Sequence, residues 1–135
     1  MKKMYFLTLL LIVIITAGFL LVSNDENVLA VEFLSSYNIS VNPKPVSREE
    51  FFIPEEFDSA YTSYNLLQIE SGLDLFPYRG KKAVRKAYLI SDFPGKSDGK
   101  VYANVIFSNR RPVAGDINCP SVSGFILPLS YMLHN

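Results

Sequence analysis

The stretch Lys100-Val-Tyr-Ala-Asn-Val-Ile-Phe-Ser-Asn-Arg-Arg-Pro-Val-Ala-Gly-Asp-Ile-Asn118 decides the fold. Val101, Ala103, Val105 and Phe107 fall on every second position, the spacing that turns alternate side chains of a strand toward one face. Ser108-Asn109-Arg110-Arg111 then reads as a tight hairpin turn, because asparagine tolerates a positive φ. Pro112 to Asn118 is the returning strand, and Lys82 to Asp92 upstream has the same Val, Ile and Tyr content. Three strands in series with a tight turn between two of them predict an antiparallel meander. Phe93-Pro-Gly-Lys-Ser-Asp-Gly99 makes the longer loop that joins the first strand to the second.

Working back toward the N-terminus, the period changes to that of a helix. Phe57, Ala60, Tyr61, Tyr64 and Leu67 recur at helical spacing, with Pro54 suited to a first helical position and Gly72 to the stop. Leu73 to Gly80 is turn-rich, and Glu50-Phe51-Phe52-Ile53 reads as a short strand. Ile39 and Val41 alternate with polar residues, and Pro43 and Pro45 keep that segment at a sheet edge. Ala30, Phe33, Leu34 and Tyr37 form one stripe of a shorter helix, about Asp25 to Tyr37. Ser23-Asn24-Asp25-Glu26 is a capping-box pattern before it, and Asn38 suits its end. Together these elements predict an α+β domain: two helices packed on one face of a mostly antiparallel sheet of about four to five strands.

Before the domain lies a different kind of segment. Lys2 and Lys3 are followed by no charged residue from Met4 through Val22, and Asp25 and Glu26 come next. A helix over Tyr5 to Val22 measures about 27 Å, near the hydrocarbon thickness of a bilayer. Lysines before it and acids after it predict a cytoplasmic N-terminus and an exported domain. Residues 1–23 are therefore expected as a signal anchor or transmembrane helix, and 24–135 as one exported domain. The expected location is the cytoplasmic membrane, single-pass, held through residues 4–22. Cleavage near Ala30, at Val28-Leu29-Ala30, is the alternative and would give a secreted protein, but it would remove the start of the next helix.

The 13 basic and 13 acidic side chains balance over the whole chain, and the exported part alone is slightly acidic. That excludes a polyanion-coating nucleic-acid binder. Cys119 has no partner for a disulfide, and His134 as the only histidine removes the usual triads and His-rich metal sites. No cofactor or metal site is expected.

Several phrases, taken in order, resemble one family. Ile53-Pro-Glu-Glu-Phe-Asp58, Tyr64-Asn65 with Gln68, Gly72-Leu-Asp-Leu75, Tyr78-Arg-Gly-Lys81 and Gly115-Asp-Ile117 are similar to the family called domain of unknown function 4830, with Phe33-Leu34, Pro94-Gly95, Ala103-Asn104 and Gly124-Phe125 around them. The resemblance spans about Asp25 to Phe125. It implies a small bacterial protein, largely Gram-positive, often behind a membrane segment, and it implies no activity. The turn at Asn109-Arg110-Arg111, Ala114 where the family often has a glycine, and the tail after Phe125 depart from its pattern.

Binding candidates are Tyr64, Asn65, Asp74, Tyr78, Arg79, Lys81 and Asp116, with no catalytic residue assigned. Arg79, Lys81, Lys82, Arg85 and Lys86 form the most visible basic cluster, suited to lipid headgroups or an anionic polymer. Strand alternation divides it between two faces, which favours a solvated surface. Asp74 and Asp116 invite a carboxylate-pair reading, against the simpler roles of turn and strand-end caps. Tyr61, Tyr64, Tyr78, Tyr88 and Tyr102 suit an aromatic groove or, more simply, packing on the sheet. Cys119 reads as a small buried residue. The leading expectation is a non-enzymatic binding or interaction module at the cell envelope, whose partner is an unknown protein, peptide or polymer. The alternatives are an envelope enzyme using Asp74 and Asp116, or a secreted inhibitor-like factor.

Overall fold

The computed structural model describes residues 2–21, 25–95 and 99–135, with the side chains at 13 and 15–21 outside the description. Part of the capping box and of the loop expected from Phe93 to Gly99 therefore lies outside the described residues. Helix α1 is Lys2–Leu21, α2 is Glu26–Ser35 and α3 is Ser59–Glu70. Strands β1 (Ser47–Phe52), β2 (Lys82–Leu89), β3 (Tyr102–Ser108), β4 (Arg111–Cys119) and β5 (Phe125–Leu127) form one sheet in the order β1-β2-β3-β4-β5. Every pairing is antiparallel, so the α+β class and the meander are both present. The short strand β5 is a further member with no counterpart among the expected strands.

The hairpin between β3 and β4 has positive φ at Asn109 (50°) and Arg110 (64°), the two-residue turn whose twist suits adjoining strands. Its register shifts at Ile106/Phe107, so that Ile106 faces Ala114 while Phe107 faces Pro112. Pro112 offers no amide hydrogen, and Val113 is the extra residue of a β-bulge. Residues 41–46 run along β2 as the edge expected of Pro43 and Pro45, with a bridge from Val41 to Ile90.

Helix α2 is capped by Asp25, whose carboxylate accepts the Asn27 N–H at 2.9 Å. Asn38, at φ 61°, ends the helical path, and the Ile39 N–H returns to the Leu34 carbonyl at 3.0 Å. Helix α3 begins later than Pro54. Ile53 still donates to Lys81 and accepts from Gly80, which continues the strand pairing and keeps the chain extended at Pro54. The helix starts where the Asp58 carboxylate accepts the Tyr61 N–H at 2.8 Å, and Gly72 at φ 76° stops it.

The sheet buries both faces, which corrects the expectation of two helices on one. Ala30 and Leu34 of α2 join Tyr88, Val105, Phe107 and Ile117 in the larger core. The chain after β5 closes that core with Leu129 and Met132, and Phe125 and Tyr131 stack about Phe93. The second core holds Ile53, Leu75, Ala83, Ile106 and Ala114, with Phe57, Tyr64 and Tyr78 packed against it. Val105 and Ile106 are neighbours on one strand yet belong to different cores, as alternation requires. The reason for the split lies at the edge of β4. Pairing with β5 begins only at Ile117, and the Gly115 N–H points to α3, where the Gln68 Oε1 accepts it at 2.9 Å. Helix α3 thus covers an unpaired edge and carries Tyr64 to the face opposite α2.

Among the described residues no helix is long and apolar enough to cross a membrane. Where the membrane span was expected, the structure has the α-helix Lys2–Leu21.

Candidate binding cleft

The face opposite α2 carries two adjoining clefts. The larger, about 420 Å³, is lined by Phe51 and Phe52 of β1, Tyr61 and Tyr64 of α3, Leu75 and Ile106. The smaller, about 280 Å³, is lined by Ser47, Ala87, Tyr102, Asn104 and Asn118. Glu49 and Arg85 line both, and these two residues face each other across the β1–β2 pair. One end of the joined groove is aromatic and the other is rich in amides, with opposite charges between them.

Asp116 anchors the floor. It is 1% exposed, and its Oδ2 accepts the Tyr64 hydroxyl at 2.5 Å while its Oδ1 accepts the Asn104 amide at 2.9 Å. The Arg85 guanidinium stands 3.9 Å from Oδ2, near enough for charge balance and too far for a strong hydrogen bond. Asn104 also donates to Asn118 Oδ1 at 3.0 Å, which extends the network to the rim. A buried carboxylate needs such partners. Burial, then the Asp116 charge, push the Tyr64 phenol well above the usual tyrosine range, with Arg85 opposing. Tyr64 is therefore a neutral donor at physiological pH.

The expected candidates separate into four places. Tyr64 lines this cleft, and Asp116 lies buried beneath it as the acceptor of the Tyr64 hydroxyl. Asn65 and Asp74 form a different unit: Asn65 donates to Asp74 Oδ1 at 2.8 Å and accepts the Leu75 N–H at 2.7 Å, while Asp74 also accepts the Phe76 N–H at 2.9 Å. Those bonds, the Asn65 amide first, hold the Asp74 carboxyl below its ordinary range. Asp74 and Asp116 share no hydrogen-bond partner, so the geometry gives them separate structural roles. Tyr78 packs against the second core, and Arg79 lies over the Phe76 ring at 3.6 Å while donating to the Phe76 carbonyl. Lys81 sits over Tyr78 at 5.6 Å.

The basic cluster is divided as alternation predicts. Lys86 is buried against Glu26 at 3.0 Å and donates to Asn27 at 3.2 Å, Lys82 meets Glu50 at 3.4 Å, and Arg85 turns to the opposite face. The tyrosines divide as well. Tyr61, Tyr64 and Tyr102 line the joined groove, whereas Tyr88 is fully buried on the α2 face with its hydroxyl donating to Asn27 at 2.8 Å. Cys119 is buried, with Sγ 3.6 Å from the Ser121 hydroxyl. Among the described residues no group of three His, Cys, Asp or Glu side chains is placed to hold a metal ion.

Glu49, Arg85 as a cleft residue, Asn104 and Asn118 were not singled out from sequence. Asn104 did carry a signal, as a polar residue inside the otherwise apolar run from Val101 to Phe107. Comparison with family models, characterised proteins and solved structures found no match to the chain.

Proposed function

We propose that the chain is a membrane-anchored binding module of the cell envelope, which holds an extended peptide of a partner protein in the Glu49–Arg85 groove. The observation that carries this reading is the joined cleft itself. Its aromatic end suits an apolar side chain, its amides suit peptide groups, and its charge pair suits a polar residue between them. The buried Asp116 network fixes Tyr64 and Asn104 before any ligand arrives, which lowers the ordering cost of binding.

Anchoring is supported by α1. Its consecutive residues Met4, Tyr5, Phe6 and Leu7 are each more than 60% exposed, so apolar side chains leave the helix in every direction and no described residue of the domain covers them. Retention of the segment, as opposed to cleavage near Ala30, is supported by the packing of α2. Ala30 is fully buried, and a cut there would take Glu26 and Asn27 away from Lys86 and Tyr88. The similarity to the domain of unknown function 4830 family belongs to the same proposal and brings no activity with it.

The test is photo-crosslinking in cells, with benzoylphenylalanine in place of Tyr61 in the full-length protein and, as control, in place of His134. A partner adduct specific to position 61 and lost with Arg85→Ala is expected. Equal labelling at both positions, or labelling indifferent to Arg85, would overturn the assignment of the groove.

A further inference from the structure

The domain has a basic end, and chain length places it against the membrane. One cleft is lined by Glu26, the first residue of α2, together with Lys81, Lys82, Asn109 and Arg110. The start of α2, the start of β2 and the tip of the β3–β4 hairpin are thus at the same end of the domain. Only residues 22–25 separate Leu21 of α1 from Glu26, which fully extended reach no more than about 17 Å. Lys81, Lys82, Arg110 and Arg111 are all exposed there.

Four acids lie at this end among the described residues, Asp25, Glu26, Glu50 and Glu55, the last beside Gly80 where a Cβ would meet it at 3.0 Å. Asp25 caps α2, Glu26 is held by the buried Lys86 at 3.0 Å, and Glu50 is 3.0 Å from Arg48 as well as 3.4 Å from Lys82. The Lys82–Glu50 pair is largely exposed, so it exchanges partners at little cost. Arg48, Lys81, Lys82, Lys86, Arg110 and Arg111 outnumber these acids among the described residues of this end.

We infer that Lys81, Lys82, Arg110 and Arg111 rest on anionic lipid headgroups of the bilayer that holds α1. The inference depends on the anchored reading above. It explains how basic residues that make no single patch on a sheet face still act together: they converge at one end, within the short range over which a charged bilayer attracts cations. Docking there would also fix the orientation of the Glu49–Arg85 groove relative to the membrane.

The experiment is amine acylation of the full-length protein in nanodiscs of phosphatidylcholine alone or mixed with phosphatidylglycerol, read by peptide mass spectrometry. Lys44 and Lys100, both exposed, serve as internal controls. Slower acylation of Lys81 and Lys82 in the anionic discs is expected, with Lys44 and Lys100 unchanged. High salt, or the double change Arg110→Gln and Arg111→Gln, should remove most of that protection. Unchanged reactivity of Lys81 and Lys82 in a protein that resists carbonate extraction from vesicles would overturn this inference alone. Release of the protein by carbonate would overturn the anchoring and the inference with it.

Discussion

The Tyr64 hydroxyl lies 2.5 Å from Oδ2 of Asp116, joining α3 to β4 across 52 positions of sequence. The carboxylate is buried and the phenol is mostly so, which makes this contact a main tie between the helix and the second core. Tyr64→Phe should lower stability by about 2 kcal/mol, the worth of a hydrogen bond to a charged group. Unfolding of the full-length protein in mild detergent, followed by tyrosine circular dichroism because the chain has no tryptophan, measures the loss. A change within experimental error would show that Asn104 and Arg85 satisfy Asp116 without it.

The same phenol predicts an alkaline limit. Burial raises its titration above the unfolded value of about 10, so the native state holds the proton more tightly than the unfolded chain. Its contribution is complete below pH 10 and is lost as pH rises from there toward the native value. Tyr88, raised mainly by burial and then by Glu26 and Asp25, acts in the same direction. Stability of the native protein should therefore fall above pH 10, and Tyr64→Phe should show a shallower decline over that range. Parallel curves would exclude Tyr64 as a source.

Gly115 is fixed by close approach. A Cβ at this position would lie 2.6 Å from the Asn104 carbonyl oxygen and 2.9 Å from Leu129 Cδ1. The first neighbour is backbone of β3 and cannot turn away. Gly115→Ala should cost about 2–3 kcal/mol through overpacking and displacement of β4, and should also weaken the Gly115–Gln68 bond. The companion change Leu129→Ala should not restore stability, since it leaves the carbonyl contact in place. Urea midpoints of the single and double variants decide the point.

Local pattern revealed the helices, the meander and the tight turn because each is written in short-range periodicity. It failed where a tertiary partner decides. The buried positions of α3 are Asn65 and Gln68, polar residues that bond to the Leu75 and Gly115 amides, whereas apolar spacing points to Ala60, which is exposed. The cleft was hidden for a related reason. A two-residue turn at Asn109-Arg110 alone would set Asn104 opposite Gly115, and the bulge at Ile106/Phe107 moves it opposite Asp116. One inserted residue creates the Asn104–Asp116 pair, and nothing in the strand pattern announces it. The exposed edge strand β1 brings Glu49 to Arg85 by register alone.

Asp74 supplies a test at low pH. Its carboxylate accepts the Asn65 amide and the Phe76 N–H, which depress its titration below the unfolded range. A depressed carboxyl contributes stability above the unfolded pKa of about 3.9 and loses it as pH falls through the native value. Asp74→Asn should be less stable than the native protein at pH 7, with the difference closing toward pH 2. A constant difference across that range would assign the loss to geometry, leaving the charge no part in it.

Lys86 and Glu26 give the sharpest test of how α2 is held. Their side chains are 10% and 19% exposed and meet at 3.0 Å, with Asn27 completing the lysine's partners and donation from Tyr88 completing Asn27. Glu26→Gln leaves an ammonium buried beside a neutral group, and the expected cost is about 3 kcal/mol. Replacing both ends differs in kind, because no charge is then stranded. Lys86→Met combined with Glu26→Gln keeps a long side chain near the Phe107 ring, which Lys86 Nζ now approaches to 5.8 Å, and gives it a thioether suited to that contact. The double variant should recover to within about 1 kcal/mol of the native protein. Thermal unfolding of the two variants reads the difference directly. A double variant as unstable as Glu26→Gln would mean that the ion pair itself, and not the avoidance of a buried lone charge, fastens α2 to the sheet.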